Sequence, residues 1–335
     1  MLDRVIVVGA SAGGLAALKT LCAGLPVDLP AAVLVVQHIM PTARSVLPEL
    51  LSRASPLPAA HGVDGARLQQ GRIYVAPPDR HMILTEDNRM MLRRGPYENR
   101  TRPAIDALFR SAAVHYGPGC IGAVLSGLLD DGTAGLVAIK RCGGISMVQD
   151  PKEAHWPDMP RNALIGDSID YCLGMTEMAA LLPRLVRQPL GPAAAPPGDM
   201  IAEYRISQQE MPEMAENAAP LGSPSPFSCP QCGGVLNELK SEKLPRFRCQ
   251  IGHAYGGETL AAAQADVLEE ALATALRTHR ERLVLFRRMQ DSAEARGYAH
   301  AAARWERAAG EAERASEVIG AALTGLRQPE DVPQD

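Results

Sequence analysis

The sequence predicts an α/β chain. A three-layer domain built on a mostly parallel sheet comes first, followed by a small cysteine-bearing module and an α-helical hairpin. Three observations carry this. Runs of β-branched and other apolar residues alternate with helix-compatible patterns through the first part of the chain, as in parallel strands joined by crossover helices. A stretch rich in Pro, Ala, Gly and Ser, from about Gln188 to Pro226, interrupts that alternation. Beyond it stand a Cys-x-x-Cys sequence and two long segments with apolar residues every three or four positions.

The first element carries the most chemistry. Val5-Ile6-Val7-Val8 reads as a buried strand, and it stops at Gly9-Ala10-Ser11-Ala12-Gly13, a Gly-x-Ser-x-Gly sequence. Leu15, Leu18 and Leu21 then follow at helical spacing. A strand, a sharp turn and a helix with serine at the apex make a nucleophile elbow, whose helix-start amides near Ala12 can hold an oxyanion. A dinucleotide fingerprint is disfavoured, because Ser11 occupies the place of its second glycine. A P-loop is disfavoured because no lysine appears until Lys19. The bland alternative is a tight strand-to-helix turn without chemistry.

The next strand, Ala31 to Val36, ends at Gln37-His38. Ligand crevices in open α/β sheets lie at the carboxyl ends of strands, so Ser11 and His38 share the functional edge and His38 can serve as general base. A third strand, Cys120 to Ser126, leads into Gly127-Leu128-Leu129-Asp130-Asp131-Gly132 and a further helix. Asp130 and Asp131 compete to orient His38; the ordinary alternative for either is capping the helix. The chain order Ser, His, Asp excludes the α/β-hydrolase arrangement, in which histidine comes last.

These residues resemble the catalytic domain of the chemotaxis protein-glutamate methylesterases (CheB type), over roughly residues 2–187. The resemblance rests on the Gly9–Gly14 and Val36–Pro41 blocks and on the Gly71–His81 block. It continues through Arg102–Phe109, Gly143–Pro151 and Met159–Arg161. It implies that Ser11 is the nucleophile, His38 the base and Asp131 the orienting acid, since the family's aspartate immediately precedes Gly132. One departure stands out. The family commonly has Gly-Met-Gly before that aspartate, its methionine amide being associated with the oxyanion, whereas this chain has Gly127-Leu128-Leu129. A backbone donor survives a side-chain change, so Leu128 takes that place; the lost glycine makes the loop less permissive.

Composition narrows the classes further. The chain has 335 residues, enough for two domains and a connector, and its 46% hydrophobic content supports substantial cores. A net charge of −4 gives no reason to expect nucleic-acid binding. No stretch approaches the ~20 apolar residues that span a bilayer, and the start lacks a signal-peptide h-region. Seven cysteines, an odd number, argue against a disulfide scaffold, and a cytoplasmic protein is expected.

Residues 1–187 are therefore expected to form the catalytic domain and 188–226 a linker with a short helix near Tyr204–Glu216, leaving the downstream module free to move. That module, residues 227–257, opens on Cys229-Pro230-Gln231-Cys232 and continues to Cys249 and His253. Two thiolates on one tight turn and a Cys/His pair from a second match a closed, structural zinc site. A redox Cys-x-x-Cys would leave the second pair unexplained. The combination of esterase domain, knuckle and helical tail resembles family members that lack a receiver domain.

Residues 258–326 read as two helices broken at Gly297, the second with a seam through Tyr298, Trp305, Ala309, Ala312 and Leu323. A docking or dimerisation role and simple mutual burial of the two seams are both consistent with this pattern. Arg89, Arg93, Arg94, Arg100 and Arg102 cluster near the predicted crevice; they can attract acidic partners or simply lie solvated.

The resemblance implies a serine hydrolase acting on glutamate γ-methyl esters of methyl-accepting chemotaxis receptors. No cofactor is needed for catalysis, and receptor glutamine deamidation is a further family activity. A non-catalytic chemosensory scaffold, acting through the zinc and helical modules, is the alternative of a different class. An intact Ser–His–Asp set speaks against it.

Overall fold

The computed structural model describes residues 2–166, 169–193, 195–209, 221–240 and 244–326. The first run forms β1 (Val5–Ala10), the turn after it leads into α1 (Gly14–Ala23), and β2 (Ala32–Gln37) follows. Next come α2 (Leu47–Ala54), β3 (Ala59–His61) and β4 (Arg72–Val75), then a two-stranded hairpin of β5 (His81–Leu84) and β6 (Met90–Arg93). The chain continues through α3 (Ile105–Tyr116), β7 (Cys120–Val124), α4 (Thr133–Arg141), β8 (Ile145–Gln149), α5 (Asp158–Gly166), β9 (Tyr171–Leu173) and α6 (Met175–Leu185).

Seven of these strands form one sheet in the order β3-β4-β2-β1-β7-β8-β9, and each neighbouring pair is parallel. Alternation within β1 divides two cores. Val5 and Val7 face α3 and α4 with Phe109, Leu136 and Ile139; Ile6 and Val8 face α1, α2 and α6 with Leu18, Leu51 and Met178. Strands buried on both faces explain the near-continuous apolar runs in the sequence. The strand order reverses between β1 and β7, so a crevice opens at their carboxyl ends.

Beyond α6 the structure differs from the predicted free linker. The compact unit containing the sheet runs from Met1 to Leu260. Within it, α7 (Gly198–Ser207) packs on the α3 side of the sheet: Met200 joins that core, and Tyr204 donates its hydroxyl to the Leu84 carbonyl at 3.1 Å. The composition of the stretch hid this, because one helical face carrying Met200, Glu203, Tyr204 and Ser207 sits among prolines and alanines. The helix begins earlier than Tyr204, and residues 210–216 of the expected helix lie outside the described residues.

The cysteine module is a four-stranded antiparallel sheet in the same compact unit, in the order β10 (Ser223–Ser228), β11 (Val235–Leu239), β12 (Arg246–Cys249) and β13 (Ala254–Gly256). A buried ion cluster joins it to α3 and α7. Arg110 donates to Glu98 at 2.6 Å and pairs with Glu203 at 3.4 Å; Arg246 and Arg248 reach Glu203 at 2.7 and 3.0 Å. Ser207 Oγ adds a bond to Glu98 at 2.9 Å. Burial works against the charge on Glu98, but Arg110 and then Arg248 outweigh it and hold the carboxyl at about 2.

The second compact unit spans Ala261–Asp335, and its described part is helical. α8 (Gly257–Ala295) ends and α9 (Ala299–Leu326) begins around Gly297, whose φ of 74° reverses the chain. Within the hairpin Phe286 stacks on Trp305 at 5.5 Å, and Ala302, Ala309 and Ala312 are buried. No described helix is long and apolar enough to cross a membrane.

Candidate active site

Ser11 stands where β1 gives way to α1. Its amide donates to the Ser126 carbonyl after β7 at 2.9 Å, and its own carbonyl receives the Gln37 Nε2 hydrogen bond at 2.8 Å. Gly13 adopts φ 71°, and a Cβ there would lie 2.9 Å from both Ser126 Oγ and Trp156 Cδ1, so only glycine suits the turn. These contacts fix the apex and leave the Ser11 hydroxyl partly exposed beside a cleft of about 530 Å³ lined also by Leu15, Lys19 and His155.

His38, the first residue past β2, meets that hydroxyl. Its Nδ1 lies 3.1 Å from Ser11 Oγ, and its Nε2 lies 2.8 Å from Asp131 Oδ2. The tautomer that satisfies both carries its proton on Nε2, donates to Asp131, and presents the Nδ1 lone pair to Ser11.

Of the two candidate acids, the structure brings Asp131 to His38. Its side chain is buried against the start of α3, where the amides of Ile105 and Asp106 donate to it at 2.7 and 3.2 Å. Asn99 Nδ2 donates to its second oxygen at 2.8 Å, and Gly132 N at 3.0 Å. Burial raises the cost of its charge, yet the His38 bond and then those of Asn99 and Ile105 hold the carboxyl below its ordinary range. Asp130 faces elsewhere and accepts the Thr259 hydroxyl; burial pushes its carboxyl up.

Sequence reasoning missed the groups behind the acid. Asp106 Oδ1 accepts the amides of Gly132 and Gly135 at 3.1 and 2.6 Å, and its Oδ2 accepts Asn99 Nδ2 at 2.8 Å. Burial and the neighbouring Asp131 charge push the Asp106 carboxyl well up, opposite in direction to Asp131. Asp106 looked like an ordinary first-turn acid of a helix, and Asn99 lies in a polar loop with no strand in front of it to announce it.

For the oxyanion, Ser126 and Gly127 form a frame next to Ser11. Ser126 Oγ donates to the Ala12 carbonyl at 2.8 Å and accepts the Trp156 amide at 2.9 Å, while Gly127 N is taken by the Trp156 carbonyl. Leu128 is exposed, and Leu129 adopts φ 63°, the left-handed conformation that a glycine takes freely. The arginine cluster is largely committed to local aspartates: Arg89 to Asp87, Arg93 to Asp64, and Arg94 and Arg102 to Asp79.

The four ligand atoms of Cys229, Cys232, Cys249 and His253 lie within 4.8 Å of one another. Cys232 Sγ is 3.8 Å from Cys249 Sγ, and His253 Nδ1 is 3.6 Å from the sulfurs of Cys229 and Cys249. A tetrahedron with metal–sulfur bonds of about 2.3 Å has edges of that length, so three thiols and one imidazole fit a zinc ion.

Likeness to known proteins follows the same boundary as the sheet. The CheB methylesterase family model matches residues 6–182. A Leptospira interrogans protein, provisionally described as a protein-glutamate methylesterase/protein-glutamine glutaminase, is 36% identical over 180 residues, 54% of this chain and 93% of that protein. The protein-glutamate methylesterase/protein-glutamine glutaminase of Photorhabdus laumondii is 36% identical over 180 residues, 53% of this chain but 51% of its own length. The crystal structure of the Thermotoga maritima CheB methylesterase catalytic domain matches with a TM-score of 0.54 and 30% identity, covering 55% of this chain and 99% of that one. The parallel sheet, the elbow at its switch point and these matches lead to one conclusion: this chain belongs to the CheB methylesterase family.

Proposed function

We propose that the chain is a protein-glutamate methylesterase acting on glutamate γ-methyl esters of methyl-accepting chemotaxis receptors. Residues 1–187 form its catalytic domain, with Ser11 as nucleophile, His38 as base and Asp131 as orienting acid. The observation that carries this reading is the unbroken relay from Ser11 Oγ through His38 to Asp131, at 3.1 and 2.8 Å. A serine hydroxyl is a weak nucleophile until a base accepts its proton. Here His38 Nδ1 takes that proton as Oγ attacks the ester carbonyl, and Asp131 stabilises the imidazolium that results. Amides of Ala12 and Leu128 hold the tetrahedral oxyanion. The imidazolium then protonates the leaving methanol, and a water activated by the same nitrogen cleaves the glutamyl-serine ester.

Deamidation of a receptor glutamine follows the same path with ammonia leaving in place of methanol, which matches the paired activities in the relatives' names. Seven cysteines without a disulfide suit a reducing compartment and support a cytoplasmic enzyme. Cys229, Cys232, Cys249 and His253 hold a structural zinc, whose chemistry when bound is to clamp four ligands and supply folding energy.

Incubation with a methylated receptor fragment tests the activity: methanol release at a rate proportional to enzyme is expected, and ammonia release from an unmodified glutamine fragment tests the second reaction. Silence on both substrates, with a well-folded enzyme, would leave the scaffold reading standing. Metal analysis should give one zinc per chain; metal-free protein with an ordered cysteine module would refute the zinc site.

A further inference from the structure

We propose that Asn99 is a positioning residue for the acid of the triad, and that the metal knuckle sets it through strand β13. The inference rests on the proposed Ser11–His38–Asp131 relay. Asn99 stands between the two parts. Its Nδ2 donates at 2.8 Å to Asp131 Oδ1 and at 2.8 Å to Asp106 Oδ2, so one amide group bridges the two carboxyls. Its other face belongs to the knuckle. Gly256 N donates to Asn99 Oδ1 at 2.9 Å, and Asn99 N donates to the Ala254 carbonyl at 2.8 Å.

These bonds decide which way the Asn99 amide points. Gly256 N–H requires an acceptor, and only Oδ1 can supply one, which turns the NH₂ group toward the carboxyls. The backbone of Asn99 also needs holding: its φ is 48° and that of Arg100 is 64°, conformations that cost energy unless their surroundings impose them. β13 does so on one side, through Ala254 and through Ala254 N donating to the Tyr97 carbonyl. On the other, Glu98 is gripped by Arg110 and Arg248.

β13 in turn begins at the metal cluster. His253 immediately precedes Ala254, and its carbonyl accepts the Cys249 amide at 3.0 Å across the turn at Gly252. Arg248, next to Cys249, donates to the Gly252 carbonyl at 2.8 Å and pairs with Glu98 at 3.3 Å. A metal joining Cys249 and His253 to Cys229 and Cys232 closes this turn from both ends. Without it the turn from which β13 emerges is held only by its hydrogen bonds and the Arg248 ion pairs, and the contacts that aim Asn99 loosen. Metal loading and orientation of Asp131 are thus coupled through one asparagine.

The test uses the full chain, loaded with zinc and then treated with a chelator under reducing conditions. It reads metal content, amide exchange at Asn99 and Gly256, and hydrolysis of a short γ-methyl glutamyl peptide. Chelation should raise exchange at Asn99 and lower kcat, and added zinc should restore both. Asn99→Gly isolates the side chain, because glycine accepts the same backbone angle. It should keep its zinc and its KM to within about twofold and lose roughly 10- to 100-fold in kcat, the usual cost of removing a supporting partner. Chelation should then cost this variant no more than about twofold further, since one chain of contacts carries both effects. Wild-type kcat in Asn99→Gly overturns the proposal, as does chelation that leaves Asn99 exchange and kcat at their loaded values. Hydrolysis surviving in Ser11→Ala would instead defeat the triad, and the exchange readout separates that failure from this one.

Discussion

Ser11→Ala and His38→Ala are each expected to abolish ester hydrolysis while the protein keeps its circular dichroism and unfolding midpoint. The Ser11 side chain makes its hydrogen bond to His38, and its backbone holds the turn, so the hydroxyl can go without disturbing the elbow. Asp131→Asn should lower kcat on the order of 10⁴-fold, the cost seen when an amide replaces the triad carboxylate and stabilises the wrong imidazole tautomer. The surroundings make that substitution severe. An asparagine would have to accept from His38 Nε2, Ile105 N, Asn99 Nδ2 and Gly132 N with a single oxygen. Asp130→Asn should stay within about tenfold of the parent, because Asp130 meets Thr259 rather than His38. Steady-state kinetics on the four variants decides the matter; a larger loss for Asp130→Asn than for Asp131→Asn would reverse the assignment.

Glu203→Ala is expected to cost about 3–5 kcal/mol in chemical unfolding, the penalty for leaving buried charges without their partner. Glu203 is 4% exposed and faces Arg110, Arg246 and Arg248 together. Burial opposes its charge, but Arg246 and then Arg110 and Arg248 hold its carboxyl far below the ordinary range. The sign of the pH dependence follows. A depressed carboxylate stabilises fully above the unfolded pKa of 4.5 and loses that contribution as pH falls through the folded value, about 2 for its neighbour Glu98. Stability should therefore fall between about pH 4.5 and 2 in the parent and less steeply in Glu203→Ala, as read by unfolding midpoints across that range. An unchanged midpoint in Glu203→Ala would mean that water already reaches the cluster.

Much of this was legible in the residues. The apolar runs announced β1, β2 and β7 because strands buried on both faces have no polar positions to hide them. Ser11 and His38 were visible as polar groups at strand ends, whereas the choice between Asp130 and Asp131 turned on backbone geometry that spacing does not encode. Asn99 and Asp106 stayed hidden because their partners come from the loop after β7, from the start of α4 and from β13. The docked α7 was obscured in the same way: Glu203 has its meaning only against arginines more than forty positions away. Local pattern reports what a segment buries, and these residues act through what distant segments bring to them.

The reversal of strand order between β1 and β7 has a further consequence during synthesis. Ser11 and His38 leave the ribosome almost together, but Asp131 lies 93 positions after His38, in the loop between β7 and α4, which is placed only once β7 has been made and paired. Asn99 waits longer still, since its clamp comes from Gly256, 157 positions downstream. A nascent chain thus carries a serine and a histidine with no oriented acid between them. Parallel strands far apart in sequence pair late, after the entropy of closing the intervening loop has been met. Hydrolytic competence therefore waits for β7 and the loop that follows it, and a translation product truncated before Asp131 is an inert one.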